Sequence, residues 1–253
     1  MKPKSMDWYK KIWSLDIKNM SWVEDTEMQV DFIIQTLQLS GGERILDLAC
    51  GFGRHALSFV RRGFSVVGVD ITEAYIDDAR KTAQGMPNAQ FILSDIRDVR
   101  FCNEFDVVLS LADGAIGYLE SDGENLKIFD AISRALKPGG KHFMDICNAE
   151  HAEAFFPKRS WEIGEKEFSF SEFEWDPVTR RMLYGGGGFT YGEIVQKPKP
   201  LEGDPTRLYS LGELTVILRE RGMRIVKAFS DYTGKEAIPK ALQLMVYSEK
   251  ESL

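Results

Sequence analysis

Between residues 43 and 147 the chain alternates short apolar, β-rich runs with stretches whose apolar residues recur at helical spacing. This alternation constrains the fold more than any other feature, because a strand, a crossover helix and the next strand repeat only in a βαβ architecture. The apolar runs lie at 44–48, 65–69, 90–93, 106–111 and 141–146, and their length and near-continuous apolar character predict five buried parallel strands. The stretches at 54–62, 73–84 and 122–136 end at Gly63, Gly85 and Pro138-Gly139-Gly140, as helices do where the chain must turn. With two further strands expected at 224–230 and 242–247, the fold class is α/β: a doubly wound, mostly parallel seven-stranded sheet with helices on both faces.

The flanks read differently. An amphipathic helix is expected at 26–39, with Val30, Ile33, Ile34 and Leu37 on its apolar side, and an aromatic segment carrying Trp8, Tyr9, Trp13 and Trp22 precedes it. Those aromatics suit either packing or a lid over a site. From 158 to 209 the period changes to that of an antiparallel meander, with strands at 160–168, 169–175 and 181–195, a turn at Asp176-Pro177 and a glycine run at 185–188. Ser210 then caps a helix reaching 221, with Glu213 as its capping-box partner. Three parts are therefore expected: residues 1–157, a helical lid and the main core; 158–209, an antiparallel β insertion acting as a substrate lid; and 210–253, the C-terminal part of the core.

Composition narrows the function. At 253 residues and 43% hydrophobic, the chain can bury a sizeable core. A net charge of −7, with basic residues scattered among acids, makes a nucleic-acid partner unexpected. Cys50, Cys102 and Cys147 are odd in number and lack Cys-x-x-Cys spacing, which argues against a disulfide framework or a structural zinc and fits a cytoplasmic protein. No run approaches membrane-spanning length. His55, His142 and His151 are too few and dispersed for a metal site, and His142 is expected in the core.

The chemistry concentrates at Ile45-Leu46-Asp47-Leu48-Ala49-Cys50-Gly51-Phe52-Gly53-Arg54-His55-Ala56, a strand entering a glycine-rich turn that opens a helix. Alone, the turn also fits a dinucleotide site: Gly51-x-Gly53-x-x-Ala56 is followed by Asp70 nineteen residues after Gly51. An NAD(P)-dependent oxidoreductase is therefore one reading. Asp47, at the end of the first strand, favours instead a ligand bearing a cationic amino group.

At these residues the chain resembles the class I S-adenosylmethionine (SAM)-dependent methyltransferases, whose first motif has the same acid-x-x-x-Gly-x-Gly form. The similarity runs over roughly residues 40 to 150 and is carried in order by Val66-Val67-Gly68-Val69-Asp70-Ile71, Phe91-Ile92-Leu93-Ser94-Asp95-Ile96, Phe105-Asp106-Val107-Val108-Leu109-Ser110-Leu111 and Leu136-Lys137-Pro138-Gly139-Gly140. The resemblance implies SAM as methyl donor, with S-adenosylhomocysteine as its product. It implies that Asp47, Ala49, Gly51 and Gly53 surround the methionine part, that Asp70 accepts from the ribose hydroxyls with Ile71 on the adenine face, that Asp95 and Ile96 meet the base edge, and that Leu111 closes the site. Arg54 stands where many members carry a third glycine or small residue; it either faces solvent or pairs with the methionine carboxylate.

The loop Ala112-Asp113-Gly114-Ala115-Ile116-Gly117-Tyr118 after the fourth strand is expected to face the acceptor, with Asp113 and Tyr118 as orienting or proton-accepting groups. It has neither the Asn-Pro-Pro-aromatic tetrapeptide of amino-directed DNA methyltransferases nor a Pro-Cys nucleophile. A small-molecule methyl acceptor is thus expected. A non-catalytic SAM-binding module is the remaining alternative, since methyl transfer demands no obligatory catalytic side chain.

Overall fold

A computed structural model describes residues 1–164, 167–195 and 202–252. The chain opens with β1 (Lys2–Pro3) and three short 3₁₀ turns between Trp8 and Val23, followed by α1 (Thr26–Leu37). The core then runs β2 (Arg44–Leu48), α2 (Arg54–Arg61), β3 (Ser65–Asp70), α3 (Glu73–Thr82), β4 (Ala89–Leu93), β5 (Phe105–Ser110), α4 (Asp122–Ala135) and β6 (Leu136–Cys147). After α5 (Ala149–Phe155) come β7 (Lys158–Ile163), β8 (Glu167–Asp176), β9 (Arg181–Thr190) and β10 (Glu202–Arg207). The chain ends with α6 (Leu211–Arg219), β11 (Met223–Phe229) and β12 (Gln243–Lys250).

The seven-stranded sheet has the order β11-β12-β6-β5-β2-β3-β4. Strands β2 to β6 pair in parallel, whereas β12 pairs antiparallel with β6 and β11 antiparallel with β12. Strand order reverses between β2 and β5, which creates the crevice at their carboxyl ends where open α/β sheets bind ligands.

Two apolar layers cover the sheet, and the period of two along each strand sorts residues between them. Leu46, Leu48, Val67, Val108 and Met144 join Ile128, Phe129 and Ile132 of α4 and Leu214 and Leu218 of α6. Ile45, Val66, Val107, Leu109 and Phe143 join Val30 and Ile33 of α1, Phe59 of α2 and Ile76 of α3. By the same alternation Asp47 and Asp145 share the second face, at the ends of β2 and β6. His142 is fully buried and packs between the hydroxyls of Ser110 and Ser248, 3.4 and 3.3 Å away.

Several bounds differ from the sequence reading. Helix α1 stops at Leu37 because Gln38 takes a left-handed conformation, φ 51°. Strand β6 begins at Leu136, pairing with Phe105 before a register shift, so Pro138-Gly139-Gly140 is an irregularity inside a strand rather than the gap before one. Helix α5 was not anticipated; its seven residues are too few for a clear helical period. In the insertion, Phe168 belongs to β8, β9 ends at Thr190, and β10 adds a strand that the meander reading lacked, its edge pairing with β1. The expected strand at 160–168 includes residues 165 and 166, and the stretch 196–201 falls within the expected insertion; both lie outside the described residues. The Ser210–Glu213 capping box forms as expected.

Candidate active site

One cavity of about 610 Å³ opens at the carboxyl edge of β2, β3, β5 and β6, under the N-terminal aromatic segment. Asp47, Ala49, Gly51, Asp70, Ile71, Asp95, Ile96, Leu111, Asp113 and Tyr118 all line it. Gly53 does not. It takes φ +80°, and a Cβ there would stand 2.8 Å from the Phe91 ring, so close packing behind the wall requires glycine here.

Asp47 is 2% exposed, and its Oδ2 has no hydrogen-bond partner. Burial pushes its carboxyl up to about 7, an effect that Arg54 opposes and Asp70 reinforces. Opposite charge is close at hand but not in contact. The Arg54 guanidinium donates to Thr26 Oγ1 at 2.7 Å and Gln29 Oε1 at 2.8 Å and lies over the Trp22 ring, 5.0 Å from its centroid. Among the described residues no carboxylate comes within salt-bridge distance of Arg54. The same Gln29 oxygen meets His55 Nε2 at 2.8 Å, and burial keeps that imidazole neutral. The cavity thus holds, around one turn, a buried carboxylate and a guanidinium that no residue neutralises by direct pairing.

Asp70, at the end of β3, accepts from the Gly51 and Thr72 backbone N–H groups, each at 2.8 Å, and so braces the glycine turn. Each carboxylate oxygen keeps further acceptor capacity. Asp95 is already paired within the chain. Burial alone would raise its pKa, but Arg97 holds it below the usual carboxylate range, with Nη2 at 2.5 Å and Nε at 2.9 Å. Arg97 also pairs with Glu120 and Glu124, and Tyr9 donates to Glu120 at 2.8 Å, so this corner is tied to the N-terminal segment.

Residues of that segment both pack into the core and line the cavity. Trp8 and Tyr9 are buried, while Tyr9, Trp13 and Trp22 line the cavity, and the Trp13 ring stacks on Tyr118 at 6.2 Å.

Asp113 and Tyr118 meet: the Tyr118 hydroxyl donates to Asp113 Oδ2 at 3.0 Å, and Asp113 Oδ1 accepts from the Cys147 backbone N–H at 3.2 Å. Burial pushes both groups' pKa values up. Sequence reasoning missed their counterpart across the wall, Asp145 on β6, whose Oδ2 accepts from the Tyr232 hydroxyl at 2.9 Å. An acid at the end of an apolar parallel strand was the available signal.

A family model described as a methyltransferase domain matches residues 45–140. A ubiquinone biosynthesis O-methyltransferase of Alkalilimnicola ehrlichii is 28% identical over 191 residues, covering 68% of this chain and 74% of its own. A solved SAM-dependent methyltransferase from Clostridium acetobutylicum superposes with a TM-score of 0.75 at 19% identity, covering 93% of this chain and 97% of its own. An amino pentose methyltransferase from Micromonospora echinaspora, solved with SAM bound, superposes with a TM-score of 0.65 at 19% identity, covering 92% and 93%. Among the described residues no helix is long and apolar enough to cross a membrane.

Proposed function

This chain is a class I SAM-dependent methyltransferase, and we propose that it holds its donor between Asp47 and Arg54 and methylates a small-molecule acceptor entering beneath the N-terminal aromatic segment. The observation that carries this reading is the pair of uncompensated charges at the glycine turn. A buried carboxylate oxygen without a partner is costly, and so is a guanidinium without a counter-ion. The amino-acid end of the donor is a zwitterion that relieves both, its ammonium on Asp47 and its carboxylate on Arg54. A dinucleotide brings a pyrophosphate, which Asp47 would repel.

The other roles follow outward along the cavity. Ala49 and Gly51 offer backbone beside the methionine part, with Gly53 behind them; Asp70 takes the ribose hydroxyls on its free lone pairs; Ile71 packs on the adenine. Asp95, oriented by Arg97, and Ile96 meet the base edge, and Leu111 closes the end near β5. When bound, the donor supplies a methyl activated by a sulfonium. The chain's own work is orientation and water exclusion, with aromatic rings of the N-terminal segment lining the site. Tyr118, whose hydroxyl already donates to Asp113, positions that carboxylate rather than acting as a base. The volume of the cavity, about 610 Å³, and the amino pentose and ubiquinone pathway in the names of two relatives support a small molecule over a nucleic acid.

Calorimetry tests the donor site. S-adenosylhomocysteine is expected to bind more tightly than NADH, and Asp47→Asn to weaken it by about 2 kcal/mol, roughly 30-fold. Tighter binding of NADH would reject the assignment.

A further inference from the structure

Asp145 is 7% exposed, lines the cavity, and presents an Oδ1 with no partner, while its Oδ2 is fixed by Tyr232. The donor reading leaves this oxygen unexplained. Asp47 is in register with Leu109 on β5, and Leu109 with Phe143 on β6, so Asp145 stands two strands away and two residues nearer the carboxyl edge. Two strand spacings are about 10 Å, beyond the reach of one ammonium held by Asp47. Its surroundings are acidic and aromatic. The Asp113 backbone N–H donates to the Asp145 carbonyl at 2.8 Å, the Asp113 carboxylate lies in the adjoining loop, and Trp13 and Tyr118 add ring faces to the wall. Among the described lining residues Arg54 is the one permanent cation, and the donor reading commits it to a carboxylate.

We infer that the acceptor is a protonated aliphatic amine whose ammonium docks on Asp145 Oδ1 among these rings, and that Asp145 takes its proton. This rests on the donor reading. A neutral hydroxyl would leave the buried carboxylate uncompensated, whereas an ammonium neutralises it and gains from the ring faces. In the proton step an N–H bond breaks, an O–H bond forms at Oδ1, and the electron pair stays on nitrogen. That pair forms the new N–C bond as the methyl's bond to sulfur breaks, with its electrons left on sulfur. Burial raises the Asp145 carboxyl to about 7, opposed by the hydrogen bond from Tyr232 and by the charge of Arg54 and reinforced by Asp113, which makes it a better proton acceptor than an exposed aspartate.

Cyclohexylamine and cyclohexanol are matched probes, differing in the group that would meet Asp145. In calorimetry against the complex with S-adenosylhomocysteine at pH 8, the amine is expected to bind at least about tenfold more tightly. Asp145→Asn is expected to abolish that preference while the S-adenosylhomocysteine affinity stays within about threefold, which also shows that the variant is folded. Absence of amine binding, equal or tighter binding of the alcohol, or a preference that survives in Asp145→Asn overturns the inference and leaves the donor site standing. Failure of the unaltered protein to bind S-adenosylhomocysteine would instead sink the donor reading.

Discussion

Asp47 carries a stability penalty that the unliganded protein must bear. Its carboxyl lies at about 7 in the folded chain against 3.8 for the free side chain, chiefly because burial disfavours the anion. A raised folded value means that the folded state holds its proton longer than the unfolded state does. The penalty is therefore absent below about pH 4, grows through the interval up to pH 7 and is complete above it. Asp47→Asn removes the ionisation, so without ligand it is expected to be more stable than the parent at pH 8, by on the order of 1–3 kcal/mol, and no more stable at pH 4. Urea unfolding at the two pH values checks this; a variant less stable at pH 8 would show that Asp47 is compensated by contacts not identified. The same residue is expected to weaken donor binding when changed, so stability and function move in opposite directions at one position.

At the scale of elements, the segment joining β5 to α4 is the most constrained part of the site. Ala112, Asp113 and Ala115 all take positive φ, 49°, 69° and 59°, a conformation that costs side-chain-bearing residues about 1–2 kcal/mol each. Asn125 of α4 holds the loop by accepting from the Gly117 and Leu119 N–H groups, and Arg207 of β10 donates its backbone N–H to the Gly117 carbonyl at 2.8 Å. The insertion is thereby fastened to the loop that presents Asp113. At Gly117, φ +90°, a Cβ would lie 1.9 Å from the Arg207 carbonyl oxygen, so backbone must move to admit it. Gly117→Ala is expected to cost more than about 3 kcal/mol, against about 1 kcal/mol for Gly192→Ala, where only the backbone preference is lost. Gly192 has a similar φ, +84°, with no atom within 4 Å. Equal losses of thermal midpoint in the two variants would contradict the fastening of insertion to loop.

Across the whole molecule, the N-terminal segment is the part expected to gain most order when the cavity is filled, since Tyr9, Trp13 and Trp22 line it. Beyond the buried Trp8 and Tyr9, it touches the rest through separate contacts: Tyr75 donates to the Ser14 carbonyl at 3.0 Å, Lys18 pairs with Asp78, and Trp22 lies over Arg54. Helices α4 and α6, by contrast, are pinned by fully buried side chains, Ile128, Phe129 and Ile132 in the one and Leu214 and Leu218 in the other. Saturating S-adenosylhomocysteine is expected to slow amide hydrogen exchange at residues 8–25 by more than tenfold beyond any slowing in α4 and α6, since the ligand completes the segment's packing surface. Uniform slowing would mean that the ligand stabilises only against global unfolding.

The sequence alone determined the architecture and which carboxylates meet at one sheet edge, because both are written locally. Strand period, helix ends and the Asp47-to-Gly53 turn depend on neighbours a few residues apart, and the parallel order then brings Asp47, Asp70 and Asp95 to one edge. The tertiary structure alone decided which groups are already spent. Asp95 is gripped by Arg97, two residues away, which its motif did not disclose, and a Cβ on Gly53 would meet the Phe91 ring. Asp145 acquires its meaning only from Tyr232, 87 residues later, and from the burial that leaves Oδ1 without a partner. Charge compensation and desolvation are properties of a three-dimensional neighbourhood, and no spacing along the chain encodes them.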